Sequence, residues 1–387
     1  ICLYFIINSK NDFLFFLKNN KFVITIFLFV FTINIFNSQY KILSFEKGIF
    51  FLRYFLFALS ISFIIKFLPD KKIKIYFKSL LCIILFLIFD SFLQFYFGRD
   101  IFGFPYIESY NRITGPFGDE MIIGNYLLNI GFLSLGLINY FNKIDNKYNL
   151  LLFYFISITV LFTGERSAFL SILYFLILMF LIFNKKKFVL TTMIIIIFSS
   201  FFIIKNVDVL SNKYLPKISS KDVLLETSDE NNNLNDNDNL NIYKNKIEKI
   251  FFNNKWAGHY EKAIEIFRDN VFFGSGFRTY RNVCLKIYES KDLNNLKCSI
   301  HPHNYHFEIL ADNGVVGYII FLIFIFFIII KFFKGNYYKN LSISILFCLI
   351  ITFIIPFKPT GSFFTTNTAF LFWFLLGHFF GLIERKK

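Results

Sequence analysis

Three of the chain's five histidines, His301, His303 and His306, fall within six positions. They belong to a polar stretch, His301-Pro302-His303-Asn304, that runs directly into an apolar one. Nine residues separate Asn304 from Gly314-Val315-Val316-Gly317, and Tyr318 to Ile330 then carry no charge. A neutral imidazole can take a proton from a hydroxyl as that oxygen attacks an electrophile. His303 is therefore the candidate general base. Asn304 is a candidate to orient it, the alternative being that His303 caps the helix that starts near Asn304. A zinc reading of His301-x-His303-x-x-His306 exists on spacing. Pro302 and the lack of a nearby Cys or carboxylate at metal-site spacing weigh against it.

These residues need a frame, and composition supplies one. Apolar residues make up 56% of the chain, and several uncharged runs approach the length that crosses a ~30 Å hydrocarbon core. Helices and closed barrels alone satisfy the backbone in lipid, and barrel alternation is missing, so the fold class is an all-α polytopic membrane protein. The net charge of +15 does not point to nucleic acid. Lys and Arg lie in tufts between apolar runs, at Lys71-Lys72-Ile73-Lys74, Lys185-Lys186-Lys187, Lys331 with Lys334, and Arg385-Lys386-Lys387. That pattern orients helices with basic loops in the cytoplasm. The Phe abundance reads as coding bias. The chain begins at Ile1, so a piece of the N-terminus is expected to be missing, and no cleavable signal peptide is recognisable.

Hydropathy gives about ten spans, near Phe22–Phe36, Gly48–Leu68, Ile75–Phe97, Met121–Phe141, Tyr148–Phe162, Ser167–Phe183, Phe188–Ile204, Val315–Phe333, Leu341–Pro356 and Phe363–Ile383. Ten crossings put both termini in the cytoplasm. The outer loops are then Gly98–Glu120, Gly164–Arg166 and Lys205–Asn313. Three parts follow: a seven-helix part over 1–204, a large outer loop over 205–313 and a three-helix part over 314–387. Residues 226–249 of the loop are an Asn/Asp-rich tract expected to be disordered. Residues 259–312 form its ordered, catalytic segment. Tyr260, Ala263, Ile264, Phe267 and Val271 recur at helical spacing, an amphipathic helix ending at Gly274-Ser275-Gly276. Cys284 and Cys298 bracket the segment before the histidines and are a candidate disulfide in an oxidising compartment, two free thiols being the alternative. Gly314 and Gly317 permit tight turning and close helix approach. Arg53 and Asp90 lie roughly 8–10 Å below the outer surface on neighbouring spans at 1.5 Å per residue, and an ion pair between them is expected.

Several stretches together resemble the bacterial O-antigen ligase and O-antigen polymerase family. They are Ala263 to Tyr280, His303-Asn304 with nine residues to Gly314-x-x-Gly317, Arg112 to Glu120, and Leu161-Phe162-Thr163-Gly164-Glu165-Arg166-Ser167-Ala168. Where family members often carry a Pro before the turn preceding Gly274, this chain has Val271, and no Arg stands just upstream of the amphipathic helix. The resemblance implies a fold like the C-type membrane glycosyltransferases and a reaction on the outer face of the inner membrane. The implied partners are a polyprenyl-diphosphate-linked glycan as donor and, as acceptor, a lipid A-core sugar or a second lipid-linked glycan. No cofactor, nucleotide or metal is implied. A diphosphate leaving group calls for fixed cations, and the arginine fork suits phosphate. Arg166 and His303 are thus the expected catalytic pair, with Arg112, Arg278, Arg281 and Asn304 binding substrate. For Arg166 the alternative is an interfacial arginine paired with Glu165. Ligase is favoured slightly over polymerase. A transporter would gather polar groups at the bilayer midplane, whereas these spans are mostly clean.

Overall fold

The computed structural model describes residues 32, 34–142, 145–214, 257–290 and 298–385. Among these, the chain forms twelve α-helices and no strand. They are α1 (Lys41–Phe67), α2 (Asp70–Phe97), α3 (Ile123–Asn142), α4 (Asn146–Phe162), α5 (Arg166–Ile182), α6 (Lys186–Asn206), α7 (Asp208–Tyr214), α8 (Ala257–Asp269), α9 (Tyr280–Ser290), α10 (Tyr305–Lys334), α11 (Leu341–Phe353) and α12 (Thr366–Glu384). Nine of these helices coincide with expected spans. Five helices (α1, α2, α6, α10 and α12) are long and apolar enough to cross a membrane. α4, α5 and α11 are shorter apolar helices. The expected first span lies almost wholly outside the described residues, as does the Asn/Asp-rich tract.

Apolar side chains recur around most faces of these helices, so burial is decided by neighbours rather than by an amphipathic stripe. α1 lies along α12, and Gly377 and Gly381 let the two backbones approach. α3 is the central helix, packed against α2, α4 and α11. Phe132, Phe153 and Phe175 interlock α3, α4 and α5. A small second core, Ala263, Ile266, Tyr280, Val283, Cys284 and Ala311, joins α8 and α9 to the first turns of α10. The buried stripe of α8 centres on Ala263 and Ile266, and Val271 is exposed. The stripe is therefore rotated from the expected one, because α9 and Ala311 set which face is covered.

The expected Arg53–Asp90 pair does not form. α1 packs on α12 and α2 on α3, so the two side chains have different neighbours. Arg53 is exposed, donates to the Tyr54 hydroxyl at 2.7 Å and lies over the Tyr54 ring. Asp90 is fully buried and accepts from the Ile101 N–H at 2.8 Å. It fastens the loop that follows its own helix. Nearby, Gln94 does the same for the next stretch, accepting from the Thr114 and Gly115 N–H groups at 3.0 and 2.8 Å. The loop that carries Arg112 is thereby built onto the end of α2.

Candidate functional site

One end of the bundle gathers the C-terminal ends of α2, α4 and α11 and the N-terminal ends of α3, α5, α10 and α12. Two clusters stand there. In the first, residues 111–113 cross the turn between α4 and α5, where the Ile113 N–H donates to the Thr163 carbonyl at 3.2 Å. Gly164 has φ +71, and a Cβ there would stand 2.3 Å from the Asn111 carbonyl oxygen, so the crossing requires glycine. This places Arg112 beside Glu165 and Arg166. The Arg166 guanidinium donates to the backbone carbonyl of Lys213 in α7, and the Lys213 ammonium donates to the Tyr110 carbonyl. Three cations from three elements converge.

Glu165 does not pair with Arg166. It is buried and accepts from the Gly124 N–H and the Asn125 side-chain amide, both at 2.9 Å. Burial pushes its pKa up to about 7, against the opposing pull of Arg112. Lys213 is pushed down to about 8 by burial and by repulsion from Arg112 and Arg166. Arg112 Nε is buried without a hydrogen-bond partner among the described residues. Arg112, Arg166 and Lys213 are thus held together against mutual repulsion, beside the buried Glu165 and with one buried Arg112 donor unmatched among the described residues.

The second cluster is imidazole. The His301 and His303 ring centroids are 4.2 Å apart, and those of His259 and His303 5.2 Å. His259 comes from the first turn of α8. His306 points elsewhere, bonded to the Tyr318 hydroxyl at 3.0 Å and the Ile354 carbonyl at 2.7 Å. The 301/303/306 metal set is therefore not assembled. Burial, then His303 and His259, lowers His301 to about 3, and burial, then His259, lowers His303 to about 4. Both imidazoles are neutral near pH 7, the state a proton acceptor needs.

His303 sits at φ +57 and Arg278 at φ +56, and Asn111, which precedes Arg112, at φ +47. Left-handed backbone is uncommon away from glycine and is held only where surroundings over-determine it. Three of the four such residues described are thus at or beside the two clusters. Arg278 is exposed, and its guanidinium is within electrostatic reach of His301 and Glu308. Arg281, also exposed, opens α9. Asn304 is the N-cap of α10, accepting from the His306 and Phe307 N–H groups and donating to the Pro356 carbonyl at 2.7 Å. Its amide is thus engaged in capping and anchoring, and the cap is Asn304 rather than His303.

Gly314 breaks α10 at φ +64, ψ −170, and a Cβ there would lie 2.5 Å from Gly274 N and from the Phe272 carbonyl. Val315 and Val316 N–H groups donate to the carbonyls of Val271 and Phe272 at 2.8 and 3.1 Å. The 271–276 turn is so bound to the kink, with Gly317 buried three residues on. On the other side of that turn, Asp312 accepts from the Tyr280 N–H at 2.9 Å, which positions Arg278. Cys284 and Cys298 are joined by a disulfide that ties α9 to the strand of chain leading to His301.

The segment 354–365, between α11 and α12, joins the clusters. Its Thr360 N–H donates to the His303 carbonyl at 2.8 Å. Its Ser362 hydroxyl and Phe363 N–H hold the Glu308 carboxyl at 2.5 and 2.7 Å. Its Lys358 ammonium donates to Ser171 of α5 at 2.8 Å, and its Phe357 carbonyl accepts from Tyr174 at 3.3 Å. Sequence reasoning missed Lys213, His259 and Lys358. The available signal for the last was a lone lysine in a short connection at the end that otherwise carries few lysines.

Residues 151–322 match the family model described as O-antigen ligase, a stretch that contains Arg166, Lys213, His259, Arg278 and His303. No curated protein matches the chain.

Proposed function

We propose that this multi-pass membrane protein with an O-antigen ligase domain is a glycosyltransferase. It moves a glycan from a polyprenyl-diphosphate carrier to a sugar hydroxyl, and the acceptor we assign is a lipid A-core sugar. The observation that carries the reading is the convergence of Arg112, Arg166 and Lys213 at the same end of the bundle as neutral His303. The acceptor oxygen attacks the anomeric carbon and its proton passes to His303. The bond between that carbon and the diphosphate oxygen breaks, and its electron pair leaves with the lipid diphosphate. The negative charge developing on the leaving oxygens falls to Arg112, Arg166 and Lys213, with fixed cations stabilising the transition state more than the ground state. Arg278, beside His301, is assigned to the glycan or its phosphate from the imidazole side. On this reading the cluster end faces the periplasm, the large loop is periplasmic, and both termini lie in the cytoplasm of the inner membrane.

Complementation separates the acceptors. Introduced into strains lacking either an O-antigen ligase or an O-antigen polymerase, the gene should restore capping of the core. Restoration of long chains alone would reassign the acceptor to a second lipid-linked glycan. Reporter fusions that place residue 303 in the cytosol would end the proposal.

A further inference from the structure

Lys358 is a buried lysine in the connection between α11 and α12. It is 9% exposed, and burial alone drives its pKa down to about 7, with no charged side chain acting on it among the described residues. Its one described bond is to the hydroxyl of Ser171, itself buried. A neutral side chain could make that bond, and burying an ammonium without a carboxylate is unfavourable. The placement is what gives the charge a purpose. Ser171 follows Arg166 by five residues, roughly 7.5 Å along α5 at 1.5 Å per residue. Two residues beyond Lys358, the Thr360 N–H holds the His303 carbonyl at 2.8 Å. Lys358 therefore stands between the helix that begins with the cation cluster and the backbone that sets the base.

We propose that Lys358 is a donor-responsive binding residue, whose missing counter-charge is the diphosphate of the lipid-linked substrate. This rests on the diphosphate donor proposed above and goes beyond it. Free, the side chain is close to half protonated near neutral pH. An anion arriving between Arg166 and His303 favours the ammonium, so binding draws a proton onto Lys358. The sign follows: affinity is greatest below pH 7, where Lys358 is already charged, and weakens as pH rises through and above 7. Tyr174 on α5, His301 and His303 on the loop before α10, and Tyr305, His306 and Glu308 on α10 are titratable groups on the elements around the segment. Lys213 and Glu165 also titrate between pH 7 and 8 and contribute to any total proton count.

Calorimetry on the full chain in lipid nanodiscs isolates the Lys358 share. A polyprenyl diphosphate without glycan is titrated at pH 7.5 in buffers of different ionisation enthalpy, with the monophosphate as control. The native protein should take up protons, and K358M should take up fewer and bind about tenfold more weakly, the equivalent of one pKa unit. K358R, always charged, should bind tightly with the same reduced uptake, and S171A should bind nearly as the native protein does. Equal uptake and affinity in native protein and K358M would overturn this inference and leave the donor assignment standing. Failure of the native protein to bind the diphosphate, or equal binding of the monophosphate, would overturn both.

Discussion

The two ends of the bundle use the same residue types in opposite ways. At the end formed by residues 66–70, 331–341 and 384–385, five charges meet their opposites. Lys66 and Lys331 share the Glu384 carboxylate at 3.2 and 3.3 Å, and Arg385 pairs with Asp70 at 2.5 Å while lying over the Phe141 ring. At the other end cations face cations as well as the Glu165 carboxyl near Arg112. Arg112, Arg166 and Lys213 converge, while Glu165, Glu308 and Asp90 are occupied with backbone N–H groups and polar side chains. The paired end has little reason to bind an anion. The other end has an unmatched arginine nitrogen and a buried lysine, the features the proposed anion site would use.

The sharpest way to break this contrast is substitution at the unpaired end. Arg166→Ala and His303→Ala should each lower transfer by about 10²–10⁴-fold, the range for a lost general base or a lost fixed charge at the leaving group. Membrane-inserted protein should be present at native amounts. Near-native transfer by either variant would remove that residue from the reaction.

Next in size is the pH profile of kcat/KM. His303 acts only when neutral, and its lowered pKa puts the acid limb near 4 rather than the 6.5 of an ordinary imidazole. Lys213 binds donor only when charged, so beyond the loss that Lys358 gives as pH rises through 7, activity should fall again as pH rises through about 8, a second alkaline limb. Lys213→Arg stays charged and should move that alkaline limb upward, leaving the acid limb in place. An acid limb at 6.5 would show that His303 is solvated rather than enclosed.

The contrast also explains how much could be seen in the sequence. The spans were legible because about 20 uncharged residues leave the backbone no other solution in lipid. His303, Arg112 and Arg166 stood out since imidazole and guanidinium groups are scarce at apolar boundaries. What partners a charge is a tertiary fact. Asp90 and Arg53 matched in depth, yet α2 turned its carboxylate onto its own loop and α1 packed on α12. Asn304 adjoined the base, yet the start of α10 took its side chain as a cap. Lys213, in a seven-residue helix after the last span of the first half, and His259, more than forty residues before His303, reach the clusters only through folding.

A covalent tie at the site end should matter more than an ion pair at the other. The Cys284–Cys298 bridge spans a sequence separation of 14, and closing a loop of that size is worth about 3 kcal/mol in the chain-entropy model. Reductant, or Cys284→Ser, should therefore lower the melting temperature and reduce transfer several-fold, with alkylation of the Cys284 and Cys298 peptides appearing only after reduction. Alkylation of both thiols without reductant would show that α9 is held by packing alone.

The smallest effect belongs to the paired end. Glu384→Gln removes the carboxylate that Lys66 and Lys331 share, in a network about a fifth to a third exposed. Pairs so placed are worth about 0–1 kcal/mol each and are screened by salt. The variant should lose at most a few degrees of melting temperature and keep its transfer rate, since no residue of that network touches either cluster. A large drop in transfer at unchanged stability would mean that the far end is coupled to the site through α10 or α12, both of which run from one end to the other. The division of labour between the ends would then have to be replaced by a single charge network extending the length of the bundle.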